Sequence, residues 1–95
     1  MKQPCVYIMA SRRNGTIHVG VTADLITRAS QHRAGSAGVF TRKYGVTRLV
    51  WFELHETMEQ AISREKTIKE WKRAWKIELI EVSNPYWLDL YSGLL

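Results

Sequence analysis

The sequence predicts a small α/β (α+β) fold: a three-stranded antiparallel or mixed sheet flanked by helices, in the order β-β-α-β-α-α. Three observations predict it. Cys5–Ala10 and residues 16–21 are strand-like runs separated by the turn signal Asn14-Gly15, so they read as a hairpin. Arg48–Leu54 is a third run, nearly continuous in apolar character. Apolar residues elsewhere recur at helical spacing, as in Leu25, Ile26 and Ala29, or Met58, Ala61, Ile62 and Ile68.

The hairpin's parity carries information. With an even number of turn residues, Val6, Ile8 and Ala10 share one face with Ile17, Val19 and Val21. Tyr7 and Met9 then share the other, less apolar face with His18 and Gly20. Thr22 offers an N-cap oxygen to a first helix over residues 23–33, and Asp24 adds a negative charge to its first turn. On that helix Arg28 and His32 are four apart and project from one face. A flexible Ala-Gly-Ser-Ala-Gly loop follows, then residues 40–44, in which Arg42 and Lys43 are flanked by the aromatics Phe40 and Tyr44 on a short helix or turn. The third strand is apolar enough to be central in its sheet. Thr57 and Gln60 form a capping box for a helix over residues 58–71. A further helix over residues 72–82 carries Trp75 and Leu79, and Asn84-Pro85 ends it. Trp71 and Trp75, four apart, read as core, and the aromatic tail over residues 86–95 reads as folding back on the body.

Length and composition bound the function. The 95 residues are expected to form one domain. The lone Cys5, in an apolar run, excludes an internal disulfide and a cysteine-based zinc cluster and reads as buried. No apolar stretch is long enough to span a membrane, and the first residues lack the apolar core of a signal peptide, so a cytoplasmic location is expected. The net charge is +5 and uneven. Residues 1–50 hold eight lysines and arginines against the single acid Asp24, whereas residues 51–95 hold six against eight acids. Basic character gathered in one half suits a polyanion-binding face. Arg12, Arg13, Arg42, Lys43, Arg48 and Lys69 are the candidate phosphate contacts.

Glu65 is anomalous. At about 100° per residue it lies within the apolar stripe of its helix, between the directions of Ala61 and Ile62. A carboxylate there is costly unless it is paired or bound to a metal. An i,i+4 pair with Lys69 is the plain structural explanation.

These residues together carry a resemblance. Cys5-Val6-Tyr7, His18-Val19-Gly20, Arg28, His32, Glu65 and Asn84 occur in the order and spacing of the GIY-YIG endonucleases. The chain resembles in particular the small single-domain bacterial members related to the nuclease domain of the excision-repair incision subunit. The resemblance spans almost the whole chain, and it implies a magnesium- (or manganese-) dependent endonuclease that hydrolyses DNA phosphodiester bonds in repair or processing. It assigns Tyr7 to general-base work, Arg28 to phosphoryl charge, Glu65 to the divalent cation and His32 to positioning the base or the water, with Asn84 the last match. Most members have tyrosine where this chain has His18. Histidine keeps a hydrogen-bonding ring but is shorter and titrates near pH ~6.5, so it either serves the same relay or marks a weakened enzyme. The alternative is therefore a nucleic-acid-binding module with weakened catalysis. Branched or single-stranded DNA, acted on by a monomer or weak dimer without a membrane, is the expected partner.

Overall fold

The computed structural model describes residues 2–95. Strands β1 (Cys5–Ala10) and β2 (Ile17–Thr22) form the predicted hairpin, followed by α1 (Leu25–Arg33), the short α2 (Val39–Lys43), β3 (Arg48–Leu54), α3 (Met58–Glu70), α4 (Arg73–Ser83) and a 3-10 turn at Tyr91–Leu94. The sheet is entirely antiparallel with the order β2-β1-β3. Asn14 takes the left-handed φ of 58° in the hairpin loop, and Ser11 N–H donates to Thr16 O across its base. The loop thus has an even number of residues, and the expected parity follows: Val6 faces Val21, Ile8 faces Val19, Tyr7 faces Gly20 and Met9 faces His18.

The centre of the sheet differs from the expectation. β1, not β3, is central, and all six of its residues are buried. β3 can be apolar at an edge because the C-terminal tail covers it. Leu90 N–H donates to Leu49 O at 2.8 Å, and the Asp89 carboxylate accepts from Leu49 N–H at 3.2 Å. The β1–β3 register also shifts between Ile8 and Met9.

Each face of β1 meets a different layer. Val6, Ile8 and Ala10 pack with Val19, Val50, Ala61, Ile68, Ile80 and Trp87, the contributions of β2, β3, α3, α4 and the tail. Cys5, Tyr7 and Met9 pack with Leu25 of α1, with Val46 and Leu49, and with Leu90 and Leu94 at the chain's end. The tail therefore folds back, with Trp87 fully buried and its indole N–H donating to Glu81 at 2.7 Å.

One cap and one aromatic need correction. Asp24, not Thr22, is the N-cap of α1, so Asp24 precedes the first turn rather than lying in it: its carboxylate accepts from Thr27 N–H at 3.3 Å and from the Thr27 hydroxyl at 2.9 Å. Thr22 stands one step back, its hydroxyl accepting from Asp24 N–H at 3.0 Å. An aspartate so bonded holds its proton less well, and its carboxyl titrates below the ordinary range. Thr57 caps α3 by accepting from Gln60 N–H, the forward half of the predicted box. Trp75 is half exposed rather than core, its ring edge-on to the partly buried Trp71. The helix breaks between them, with Trp71 and Lys72 extended, so the helical spacing that read both as one core stripe does not hold and Trp75 is left half exposed at the start of α4.

Candidate active site

Tyr7 points from the central strand toward α1. Its ring lies over Gly20 of β2, the residue directly opposite. A Cβ at Gly20 would sit 2.4 Å from the Tyr7 hydroxyl, so only glycine admits the ring in this place. The hydroxyl shares a hydrogen bond of 3.1 Å with Nε2 of His32, which the last turn of α1 delivers from the other side. His18, two residues before Gly20 on the same strand face, completes a cluster of three rings. The ring centroids of Tyr7 and His18 are 6.3 Å apart, of Tyr7 and His32 5.6 Å, and of His18 and His32 5.3 Å.

Burial dominates the electrostatics of the cluster. It pushes the Tyr7 phenol up to about 12, against the pull of the Arg28 charge and with the help of Glu65. It pushes His32 down to about 4, with His18 and Arg28 acting in the same sense. His18 is also lowered, by burial first and then by Lys69 and Arg28, while Glu65 favours its charged form. At neutral pH the cluster is thus a phenol and two neutral imidazoles, framed by the cations Arg28 and Lys69 and the single anion Glu65. His32 is only 3% exposed, yet its Nδ1 has no hydrogen-bond partner. Leaving a buried ring nitrogen unpaired costs about 1–3 kcal/mol, so this atom is an expense the fold carries at the site.

Glu65 comes from α3. Its charge bears on both Tyr7 and His18, raising the phenol and favouring the charged imidazole. Its side chain is 13% exposed, and Oε2 accepts from Lys69 Nζ at 3.0 Å, the i,i+4 pair anticipated on plain structural grounds. Among the described residues no group of three or more His, Cys, Asp or Glu side chains could hold a metal ion. A lone, largely buried carboxylate still fits magnesium, which keeps most of its waters and takes one or two protein oxygens plus phosphate. Lys69 shows that the carboxylate already accepts a cation from the solvent side.

The remaining candidates are scattered. Asn84 caps α4 and spends its amide on structure: Nδ2 donates to Val50 O and Leu88 O, and Oδ1 accepts from Leu88 N–H. Arg48 donates to Trp87 O and, with Arg33, lines an open cavity of about 510 Å³ beside the tail. Arg13 lies 5.5 Å from the centre of the Tyr86 ring. Arg12, Arg42 and Lys43 are exposed. Sequence reasoning named Gly20 only as part of the His18-Val19-Gly20 match and not as the seat of the Tyr7 ring, although the hairpin parity sets the two on one face. It also missed Asp89, which pairs with Arg33 and accepts from both Leu49 and Tyr91 backbone N–H groups; nothing local marks that residue.

The site thus joins a hairpin tyrosine, opposite a glycine, to a helix that carries an arginine and a histidine. Residues 3–78 match the GIY-YIG catalytic domain, and the chain belongs to this nuclease family. Within it the chain is similar to UPF0213 proteins. One from Haloquadratum walsbyi is 36% identical over 66 residues, covering 70% of this chain and 74% of its own. One from Staphylococcus aureus is 32% identical over 76 residues, covering 80% and 92%. The solution NMR structure of a UPF0213 protein from Bacillus halodurans superposes with a TM-score of 0.54 at 28% identity, covering 86% of each chain.

Proposed function

We propose that this single-domain protein is a divalent-metal-dependent endonuclease that hydrolyses DNA phosphodiester bonds in repair or processing. The observation that carries the reading is the buried Tyr7–His32 hydrogen bond within electrostatic reach of both Arg28 and Glu65. Arg28 offers a fork of donors to the non-bridging oxygens of a phosphate. A phenol titrating near 12 is not a base by itself. The neutral His32 beside it is an acceptor. A water that gives its proton to the Tyr7 oxygen, while Tyr7 passes its own to His32 Nε2, leaves the positive charge on the imidazole. Phosphate brought close by Arg28 favours that imidazolium. His18, neutral beside both rings, would act as a proton relay with Tyr7 in place of the family's second tyrosine. Glu65 would hold magnesium or manganese, which supplies charge neutralisation at the phosphate. Lys69, displaced from Glu65, would be free for the nucleic-acid backbone. The reading carries with it a cytoplasmic location and a monomer or weak dimer, and no helix among the described residues is long and apolar enough to cross a membrane.

A second reading, a nucleic-acid-binding module with weakened catalysis, is favoured by histidine at position 18 and by the Lys69 ammonium on Glu65. A cleavage assay on single-stranded, duplex, flap and branched DNA separates the two. The nuclease cuts at least one substrate with magnesium or manganese and none in EDTA. Tight binding of all four without cleavage in either metal would establish the binding module.

A further inference from the structure

We propose that the outer face of α2 is a stacking platform for unpaired bases, so that the strand engaged here is single-stranded or frayed rather than a continuous duplex. The proposal rests on the nuclease reading for its partner class and extends it to the form of the substrate.

α2 has five residues, too few to be stable by its own hydrogen bonds. It is held by other means: Thr41 is buried, Val46 N–H donates to Thr41 O at 2.8 Å, and the Arg42 stem lies beside Gly35. This anchoring turns three apolar side chains outward. Val39 is 73% exposed, Phe40 51% and Tyr44 47%. The Phe40 and Tyr44 rings are neighbours, with centroids 4.9 Å apart and planes tilted by 51°. Lys43 Nζ lies 5.5 Å from the centre of the Tyr44 ring. A fixed pair of solvent-facing aromatics gains nothing for the fold and gains stacking energy when a planar partner arrives.

Charge selects the partner. Between Asp24 and Glu53 the chain has no acid and five lysines and arginines, of which Arg42 and Lys43 lie on α2 itself. Exposed aromatics among unopposed cations match a strand that offers both π faces and phosphates. The Trp71 and Trp75 surface also carries cations, Arg64 and Lys72, but Glu78 on its rim opposes them, and the exposed Tyr86 beside Arg13 is a single ring rather than a pair. Position agrees as well. The loop to α2 leaves directly from the last turn of α1, where Gly35 N–H donates to His32 O. The platform is thus joined by a five-residue loop to the helix that bears Arg28 and His32.

The test uses the full chain in EDTA at ~0.1 M salt, so that binding is read without cleavage. Fluorescence anisotropy is measured with a labelled oligo-dT of roughly 15 nucleotides and with a blunt duplex of the same length. The double variant Phe40→Ala/Tyr44→Ala is expected to lose about ten- to hundredfold in single-strand affinity and at most about threefold on duplex. Phe40→Trp/Tyr44→Trp is expected to keep wild-type affinity, and a 2-aminopurine base in the single strand is expected to change its emission on binding wild type but not the alanine variant. Circular dichroism and melting check that the variants fold; if the alanine pair does not, the tryptophan pair and the 2-aminopurine signal still decide. Equal losses on both DNAs, no loss on either, or wild-type affinity with an unchanged 2-aminopurine signal would overturn the platform. So would a wild-type dimer in sedimentation that the alanine pair splits without loss of DNA affinity, because the patch would then join two copies. Failure of wild type to bind either DNA overturns the nuclease reading along with it, whereas a wild type that binds and cuts DNA beside an indistinguishable variant overturns the platform alone.

Discussion

The two faces of β1 are built from alternate residues of one strand, and they are chemically opposite. Toward α3 and α4, Val6, Ile8 and Ala10 meet only apolar neighbours in the larger core. Toward α1, Tyr7 meets two histidines, one of them buried with an unpaired nitrogen. The first face can be read as transfer energy and close packing. The second holds polar groups at a cost that the first face offsets. A site of this kind can sit on a central, fully buried strand because the strand's other face secures it.

The comparison is broken most severely at Glu65, the one anion that bears on the polar face. Glu65→Gln is expected to take single-turnover cleavage to background while DNA affinity stays within a few-fold, because removing a negative charge near phosphate does not penalise binding. Equal rates for variant and wild type would remove Glu65 from the mechanism. His18 comes next. His18→Ala is expected to lose roughly 10²–10⁴-fold in cleavage, the range for an acid–base group, and His18→Tyr to retain or increase it. His18→Phe tests whether the ring only fills space: unchanged rates across pH would leave the residue no chemical role.

Stability sharpens the same contrast. Ile8→Ala is expected to cost about 2–5 kcal/mol in denaturant unfolding, equally at all pH values, since it opens a cavity in an apolar layer. His32 acts through pH. Its folded pKa, about 4, lies below the unfolded value of ~6.5, so the unfolded chain takes up the proton first. Its stabilising contribution is complete above pH ~6.5 and is lost as pH falls through about 4. His32→Phe should flatten that acid-side slope, whereas Ile8→Ala should shift the whole curve and leave its shape. An unchanged slope in His32→Phe would show that His32 is not the group that titrates. The smallest effect is at the cap of α1, the helix that carries Arg28 and His32. Asp24→Ala is expected to lower stability slightly by the same measurement, and Thr22→Val less, because the aspartate bonds the helix's free N–H. The reverse order would return the cap to Thr22.

Periodicity explains which features could be read in advance. The sequence by itself determined the hairpin, its face parity, the four-residue spacing of Arg28 and His32 and the misplaced Glu65, because strand and helix periods are local and fix side-chain direction from the backbone alone. It also determined the family, since the motif residues keep their order along the chain. Only the tertiary structure decided that β1 is central, because an apolar strand such as β3 looks the same whether another strand or a returning tail covers its edge. Only the tertiary structure decided that Trp75 stays half exposed and that His32 reaches the Tyr7 hydroxyl. Each of these depends on which distant segment arrives to fill a direction that local spacing can only point along.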